Sequence, residues 1–575
     1  MKVFFRFFRQ YPKESILAPL FKLLEACFDL LVPMVVATII DEGIIGKNNS
    51  LIFRNVIWLI ALAVVGLTCA LCAQYFAAKA AVGTATKLRR ELFAKLQTFT
   101  YAQTDKLGTS SMITRMTSDV GQLQSGVNMT LRLFLRSPII IFGAWIMAAV
   151  IHPKLSLIFA VTIPLLALVV FGVMLGGIPL FKRVQSKLDR VTAATRENLA
   201  GVRVVRAFCK EQEEISDFEA ANRQQTSLQN KAGLLTSLMN PVTYVLVNLA
   251  VILLLKEGAV SVDSGSLTQG ELVALINYMG QILVELVKMA STIFLVTKAV
   301  ACGNRIGDVL DTPTGMEIIP QDASAPENAP LVTFENVSLC YHEGSHPSLS
   351  DISFSVERGQ TVGIIGGTGS GKTSLVNLIP RFYDATEGRV LLDGKDVRSF
   401  DPEVLRARMG IVPQKAELFK GTIASNLAWG NPSATEAEMW QALQDAQAAD
   451  FVKDKDGMLN APVEQKGRNF SGGQKQRLTI ARALVGRPDI LILDDSASAL
   501  DFATDAKLRQ ALKGLSYAPT TLIISQRTSS IRHADLILVL DEGRMVGMGK
   551  HDDLLRTCET YREIHLSQFK GGEEA

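Results

Sequence analysis

Over the first 300 or so residues, long apolar runs alternate with charged stretches; beyond them the runs shorten to the length of strands. Six runs have the roughly 20 residues needed to cross a bilayer as a helix. They lie near 16–40, 53–77, 129–151, 154–178, 234–256 and 270–296. The links near 41–52, 152–153 and 257–269 are short, whereas 78–128 and 179–233 are long and polar with helical periodicity. Each long link reads as two helices that prolong the spans beyond the membrane. About 25 extra residues at 1.5 Å each give a reach of about 38 Å. The turn between two such helices has to touch something, and the candidate contact segments are Ser111–Val120 and Arg196–Phe208.

Charge sets the orientation. The long links carry Lys79, Lys87, Arg89, Arg90, Lys95, Lys106 and Arg115, then Lys182, Arg183, Lys187, Arg190, Arg196, Arg203, Arg206 and Lys210. The short links hold few cations, so the long links and both termini face the cytoplasm. The first residues, MKVFFRFFRQYPKES, lack a cleavable apolar core and read as an amphipathic helix on the inner membrane surface.

Composition agrees with a membrane protein: 48% of residues are hydrophobic and 20% charged. A net charge of +3 is too small to point to nucleic acid. The seven cysteines make no disulfide framework. Cys69 and Cys72 have the spacing of a redox or metal pair, but they sit in an apolar helix, where packing is the expected role. Lys22, Glu25 and Asp29 fall in the first span, and Glu285 and Lys288 in the sixth. Charges at membrane depth are costly and need a cavity or a partner. Two readings stand: a polar pathway that recognises cationic substrates through Glu25, Asp29 or Glu285, or internal pairing of Lys22 with Glu25 and Glu285 with Lys288 at helical spacing.

Residues 311–330 hold four prolines and read as a linker between a transmembrane domain at 1–310 and a soluble domain at 331–568, with a short tail at 569–575. The soluble domain carries the chemistry. A strand ending in VGIIG runs into Gly366, Gly367, Thr368, Gly369, Ser370, Gly371, Lys372 and Thr373, followed by Ser374 and a helix. Glycines let backbone N–H groups turn inward around phosphates. Lys372 supplies a fixed positive charge, and the Thr373 hydroxyl can ligate Mg²⁺. The apolar run Ile490–Leu493 ends in Asp494, a carboxylate placed to hold Mg²⁺ beside that loop.

These residues resemble the ATP-binding cassette transporter family, and the most specific of them are Asn469, Phe470, Ser471, Gly472, Gly473 and Gln474. They are similar to the family's signature, with Phe470 where Leu is usual. Tyr341 resembles the aromatic residue that stacks on adenine. Gln414 resembles the glutamine that links Mg²⁺ to the membrane domain, and Glu464 the acidic cross-talk position. Ser498–Asp501 resembles the dimer-contact loop. The resemblance covers nearly the whole chain. It implies an all-α six-helix transmembrane domain of exporter type, then an α/β cassette with a helical signature subdomain. ATP and Mg²⁺ are the implied cofactors. The implied partners are membrane lipid, a small-molecule substrate and a second half-transporter. In the family two cassettes meet head to tail, so Ser471, Gly472, Gly473 and Gln474 serve the ATP held by the partner. The segments around 111–120 and 196–208 would be coupling helices that dock on the cassettes.

Two positions depart from the family pattern. Asp495 stands where a water-polarising Glu is usual, and Gln526 where a His contacts the outermost phosphate. The shorter Asp withdraws the carboxylate, and a misplacement of about 1 Å can cost on the order of 10²-fold in rate. Gln526 can donate a hydrogen bond but cannot carry a proton. A site that binds ATP well and hydrolyses it poorly is expected, completed by a partner that supplies the missing Glu and His. Export of drug-like or lipid-like amphiphiles is the leading reading. An importer of metal chelates on the same architecture and a nucleotide-gated channel or regulatory subunit are the alternatives.

Overall fold

The computed structural model describes residues 11–313, 315–316, 318–319, 329–341, 346–496 and 499–568. The amphipathic start at 1–10, most of the linker, Ser498 and the tail lie outside the described residues. The chain divides into two compact units: residues to 97 with 109–313, and residues 98–108 with the chain from 314 onward.

The first unit is all helix. Six helical segments are long and apolar enough to cross a membrane: Pro12–Ile45, Asn49–Gln97, Thr109–Ile151, Pro153–Ala207, Glu211–Asp263 and Gln269–Leu310. The spans therefore run on as helix through the polar links, and at about 1.5 Å per residue the second helix alone is about 74 Å long. The apolar core of the bundle gathers Leu30, Ile140, Phe159, Leu254, Tyr278 and Ile282. Close approach of backbones is built in at Gly270, where a Cβ would lie 2.3 Å from the Ala37 carbonyl oxygen. Asp41 then caps the sixth span, accepting from the Gly270 N–H at 2.7 Å. Cys69 and Cys72 are free thiols within the second span.

The first cytoplasmic turn comes about ten residues earlier than the sequence reading placed it. A short helix, Tyr101–Leu107, starts at a capping box made by Thr100 and Gln103 and stops at Gly108 with φ of 71°. Residues 111–120, expected at the turn, instead continue as α- and π-helix into the third span. There Asp119 is buried and paired with the Arg305 guanidinium at 2.6 and 2.9 Å. Residues 196–207 complete the fourth helix, and the second turn follows at 208–210.

The intramembrane charges pair within the chain. Lys22 bonds Glu25 at 2.6 Å and Lys288 bonds Glu285 at 3.1 Å. The hub of the cluster is a residue that local sequence pattern does not mark: Arg136 of the third span reaches Glu285 at 2.7 Å and Asp29 at 2.8 Å.

The second unit is an α/β domain with two main sheets. The six-stranded sheet runs, in order, Arg544–Gly549, Leu536–Asp541, Thr361–Gly366, Thr520–Ile524, Ile490–Asp494 and Met409–Val412. Its strands are parallel apart from the first pair. Strands such as Ile490–Asp494 are buried throughout, which is why they read as unbroken apolar runs. A four-stranded antiparallel sheet packs its core on the same centre. The helices Ile423–Leu427, Glu436–Asp445, Ala449–Lys453 and Gly472–Leu484 enclose a separate core. Phe470 belongs to that core, with the Lys455 ammonium over its ring at 4.7 Å, so the unusual residue in the signature is accommodated by burial.

The nucleotide site and the signature face

The central strand Thr361–Gly366 ends where the phosphate loop begins, and the helix Lys372–Asn377 leaves it. Gly369 and Gly371 have φ of 84° and 93°, a region that side-chain-bearing residues seldom adopt. A Cβ on Gly371 would also meet the Ser348 carbonyl oxygen at 2.7 Å, so the turn tolerates no side chain. The loop closes on its own lysine: the Lys372 ammonium donates to the carbonyls of Gly366 at 3.0 Å and Gly367 at 2.6 Å, and to the Ser370 hydroxyl at 3.3 Å.

The next strand ends, Asp494 and Ile524, lie side by side at the same edge of the sheet. This brings Thr368, Gly369, Gly371, Lys372, Thr373, Ser374, Gln414, Asp494, Asp495 and Gln526 around one cavity of about 230 Å³. Ser348 and Ser525 also line it; nothing in the sequence singled them out. The Thr373 hydroxyl donates to Asp494 at 2.9 Å. A hydroxyl, a carboxylate and the Gln414 amide are the oxygen donors Mg²⁺ takes when it keeps several waters and phosphate oxygens as ligands, so the residues present fit it. Tyr341 stands beside this cavity, its hydroxyl donating to Ser374 at 2.8 Å and its ring edge-on to Tyr383.

Burial dominates the electrostatics. It pushes the Lys372 ammonium below its usual pKa, opposed by Asp494 and Asp495. It raises Asp494, with Thr373 opposing, and raises Asp495, with Gln414, Arg527 and Lys372 opposing. The Asp495 carboxyl accepts a hydrogen bond from the Gln414 side chain. Its backbone sits at φ of 45° with its N–H on the Ile524 carbonyl at 3.0 Å. No histidine lines the cavity among the described residues.

Gln526 is held from the C-terminal helix Glu559–Gln568, which the sequence reading did not connect to the site. The Gln568 amide donates to the Gln526 carbonyl at 2.7 Å, and its oxygen accepts from the Thr528 N–H at 2.9 Å.

The signature residues are not part of this cavity. Ser471 caps the helix Gly472–Leu484 in a reciprocal box with Gln474, at 3.3 and 3.0 Å. Gly472 and Gly473 open that helix, so its free N–H groups are turned toward any anion brought to this end. A Cβ on Gly473 would meet the Ala499 carbonyl oxygen at 3.1 Å. Glu464 precedes this element, its backbone N–H donating to Asn469 at 3.1 Å.

The docking seat for the first turn is likewise visible. Tyr101 stacks on Phe382 at 4.3 Å, and the Tyr383 hydroxyl donates to Asp105 at 2.5 Å. Burial and Asp105 raise the pKa of Tyr383.

Six spans, a phosphate loop with its strand-end carboxylate and a signature helix on a separate face define a membrane transporter driven by ATP. Comparisons with known proteins place it. Residues 15–286 match the ABC transporter transmembrane region and residues 349–498 the ABC transporter domain. An uncharacterized ABC transporter ATP-binding protein of Mycobacterium bovis is 38% identical over 567 residues, covering 97% of each chain. The protein YfiB of Bacillus subtilis, described in the same words, is 36% identical over 98% of each. A solved structure of a bacterial Atm1-family ABC exporter with ATP bound matches with a TM-score of 0.80 at 26% identity, over 99% of both chains. The chain belongs to the ABC transporter family and is a half-transporter of exporter type: an integral, multi-pass membrane protein whose cassette is cytoplasmic, binds ATP and couples its hydrolysis to transport.

Proposed function

We propose that this chain is one half of a heterodimeric exporter of drug-like or lipid-like amphiphiles, with an impaired nucleotide site of its own and an intact signature for its partner's. The observation that carries the reading is the pair Asp495 and Gln526 in the phosphate-loop cavity. Asp495 is short, so with the backbone in place its carboxyl stands back from where a Glu carboxyl would orient water. Gln526 offers an amide where a proton-carrying ring is usual. The phosphate loop, Lys372, Thr373 and Asp494 keep everything binding requires. Bound Mg²⁺, held by Thr373, Gln414 and Asp494, would supply charge neutralisation at the phosphates.

In this mechanism Tyr341 positions adenine, Lys372 and the loop N–H groups hold the phosphates, and ATP at this site stays through several cycles. Ser471, Gly472 and Gly473 contact ATP on the partner's loop, with Gln474 bracing the cap, and hydrolysis occurs there. Closure of the cassettes reaches the spans through the turn at 101–107, seated on Phe382 and Tyr383, and through the second turn at 208–210. The importer and channel readings use the same parts and have no specific observation in their favour.

The test is ATPase activity of the purified chain alone and with its partner, alongside transport into inside-out vesicles. The expected outcome is little turnover alone and substrate-stimulated turnover with accumulation in vesicles for the pair. Turnover alone in the ordinary range of about 1–10 s⁻¹ would contradict it.

A further inference from the structure

Three spans bring six ionisable side chains together inside the membrane half: Lys22, Glu25 and Asp29 from the first, Arg136 from the third, Glu285 and Lys288 from the sixth. Three are cations and three carboxylates, so the cluster is neutral as a whole. Each carboxylate is already claimed. Glu25 has Lys22 at 2.6 Å, Asp29 has Arg136 at 2.8 Å, and Glu285 has Arg136 at 2.7 Å with the Ser137 hydroxyl at 2.8 Å. The expectation that these carboxylates attract cationic substrates therefore meets an obstacle: a cation alone would add an uncompensated charge to a cluster that the chain already balances.

The cluster borders a cavity of about 490 Å³, lined by Asp29, Arg136, Glu285 and Lys288 with Asn277 and Gln281. Within it the charges are not equally accessible. The Arg136 and Glu285 side chains are 13% and 4% exposed, whereas those of Asp29 and Lys288 are 43% and 44% exposed. A solute entering the cavity thus meets one accessible negative end and one accessible positive end over a buried, neutralised base.

We propose that this cavity takes the zwitterionic head of an amphiphile: a primary ammonium beside a phosphate or carboxylate. The ammonium lies against Asp29 and the anion against Lys288, the two charges that the cavity leaves accessible. A head of net charge brought into a neutral low-dielectric cluster leaves one charge uncompensated, whereas a zwitterion brings its own compensation. The inference rests on the export reading above and narrows its cargo from amphiphiles in general to zwitterionic ones.

The experiment uses the purified full chain in a neutral maltoside detergent and three photoreactive amphiphiles with one common apolar body. Their heads are phosphoethanolamine, primary ammonium and sulfate, and the label is mapped to peptides. The phosphoethanolamine probe is expected to label the first, third and sixth spans about tenfold more than either charged probe, the discrimination that one modest electrostatic contact supplies. K288Q removes the accessible cation and leaves the cluster at −1. It should reverse the order, with the ammonium probe labelling most. R136Q should do the same through the base. Unchanged labelling of either variant by a photoreactive ATP analogue confirms that it is folded. Equal or stronger labelling of the unaltered chain by the ammonium probe overturns the proposal, as does an unchanged order in K288Q or no labelling of these spans. Two sources of such a head are separated by competition. Displacement by phosphatidylethanolamine alone assigns the site to a bilayer lipid, and displacement by short, water-soluble zwitterions as well assigns it to free solutes. Vesicle transport remains a separate readout. Charge-blind labelling in transporting vesicles removes this inference and leaves export standing; charge-selective labelling without transport does the reverse.

Discussion

The phosphate-loop face and the signature face of the cassette differ in kind. The phosphate-loop face is a cavity built from strand ends, where ten of the residues singled out in the sequence meet and two of them depart from the family pattern. The signature face is a helix N-terminus, capped by Ser471 and Gln474, with its own core beneath and no departure from the family pattern at Ser471, Gly472, Gly473 or Gln474. Under the proposed reading, the impairment is local to one face. In a head-to-tail dimer these faces belong to different ATP molecules, so one chain can hold an idle site and complete a working one.

The largest expected effect comes from repairing the first face. Asp495→Glu with Gln526→His in the chain alone should raise ATPase activity on the order of 10²-fold, since a misplacement of about 1 Å costs that much. No gain would mean that something other than these two side chains limits the site. Next, Lys372→Ala removes the charge facing the phosphates, and labelling of this chain by a photoreactive ATP analogue should fall about tenfold or more. Full labelling would remove Lys372 from the site. Ser471→Ala acts on the other face. It loses the cap, worth about 1 kcal/mol, and a hydroxyl toward the partner's ATP. Turnover of the pair should fall severalfold while labelling of this chain's own loop is unchanged; a fall in both would erase the distinction between faces. The smallest effect is expected for Gln568→Ala, which frees the Gln526 carbonyl and the Thr528 N–H. Amide exchange at residues 526–528 should quicken, with nucleotide labelling kept.

What could be read from the sequence follows from the range of the forces involved. The six spans are continuous apolar runs, and the phosphate loop and signature are contiguous peptides, so local pattern sufficed for them. The first turn is harder to read because its markers are local but slight: Thr100 with Gln103, and Gly108. Arg136 is not legible as a functional residue because a charged residue near the start of an apolar run looks like an edge. Only packing of the first and sixth spans makes it the hub between Asp29 and Glu285, 107 and 149 residues away in sequence. Gln568 and the Tyr383–Asp105 contact are non-local in the same way.

The most direct measurement compares two carboxylate changes in one preparation of the pair: Asp495→Asn in this chain and Glu→Gln at the matching position of its partner, each read as steady-state ATPase activity. Asp495 should prove nearly dispensable, with most activity kept, while the partner's change abolishes turnover. Equal loss from both would contradict the asymmetric reading and make Asp495 a catalytic residue.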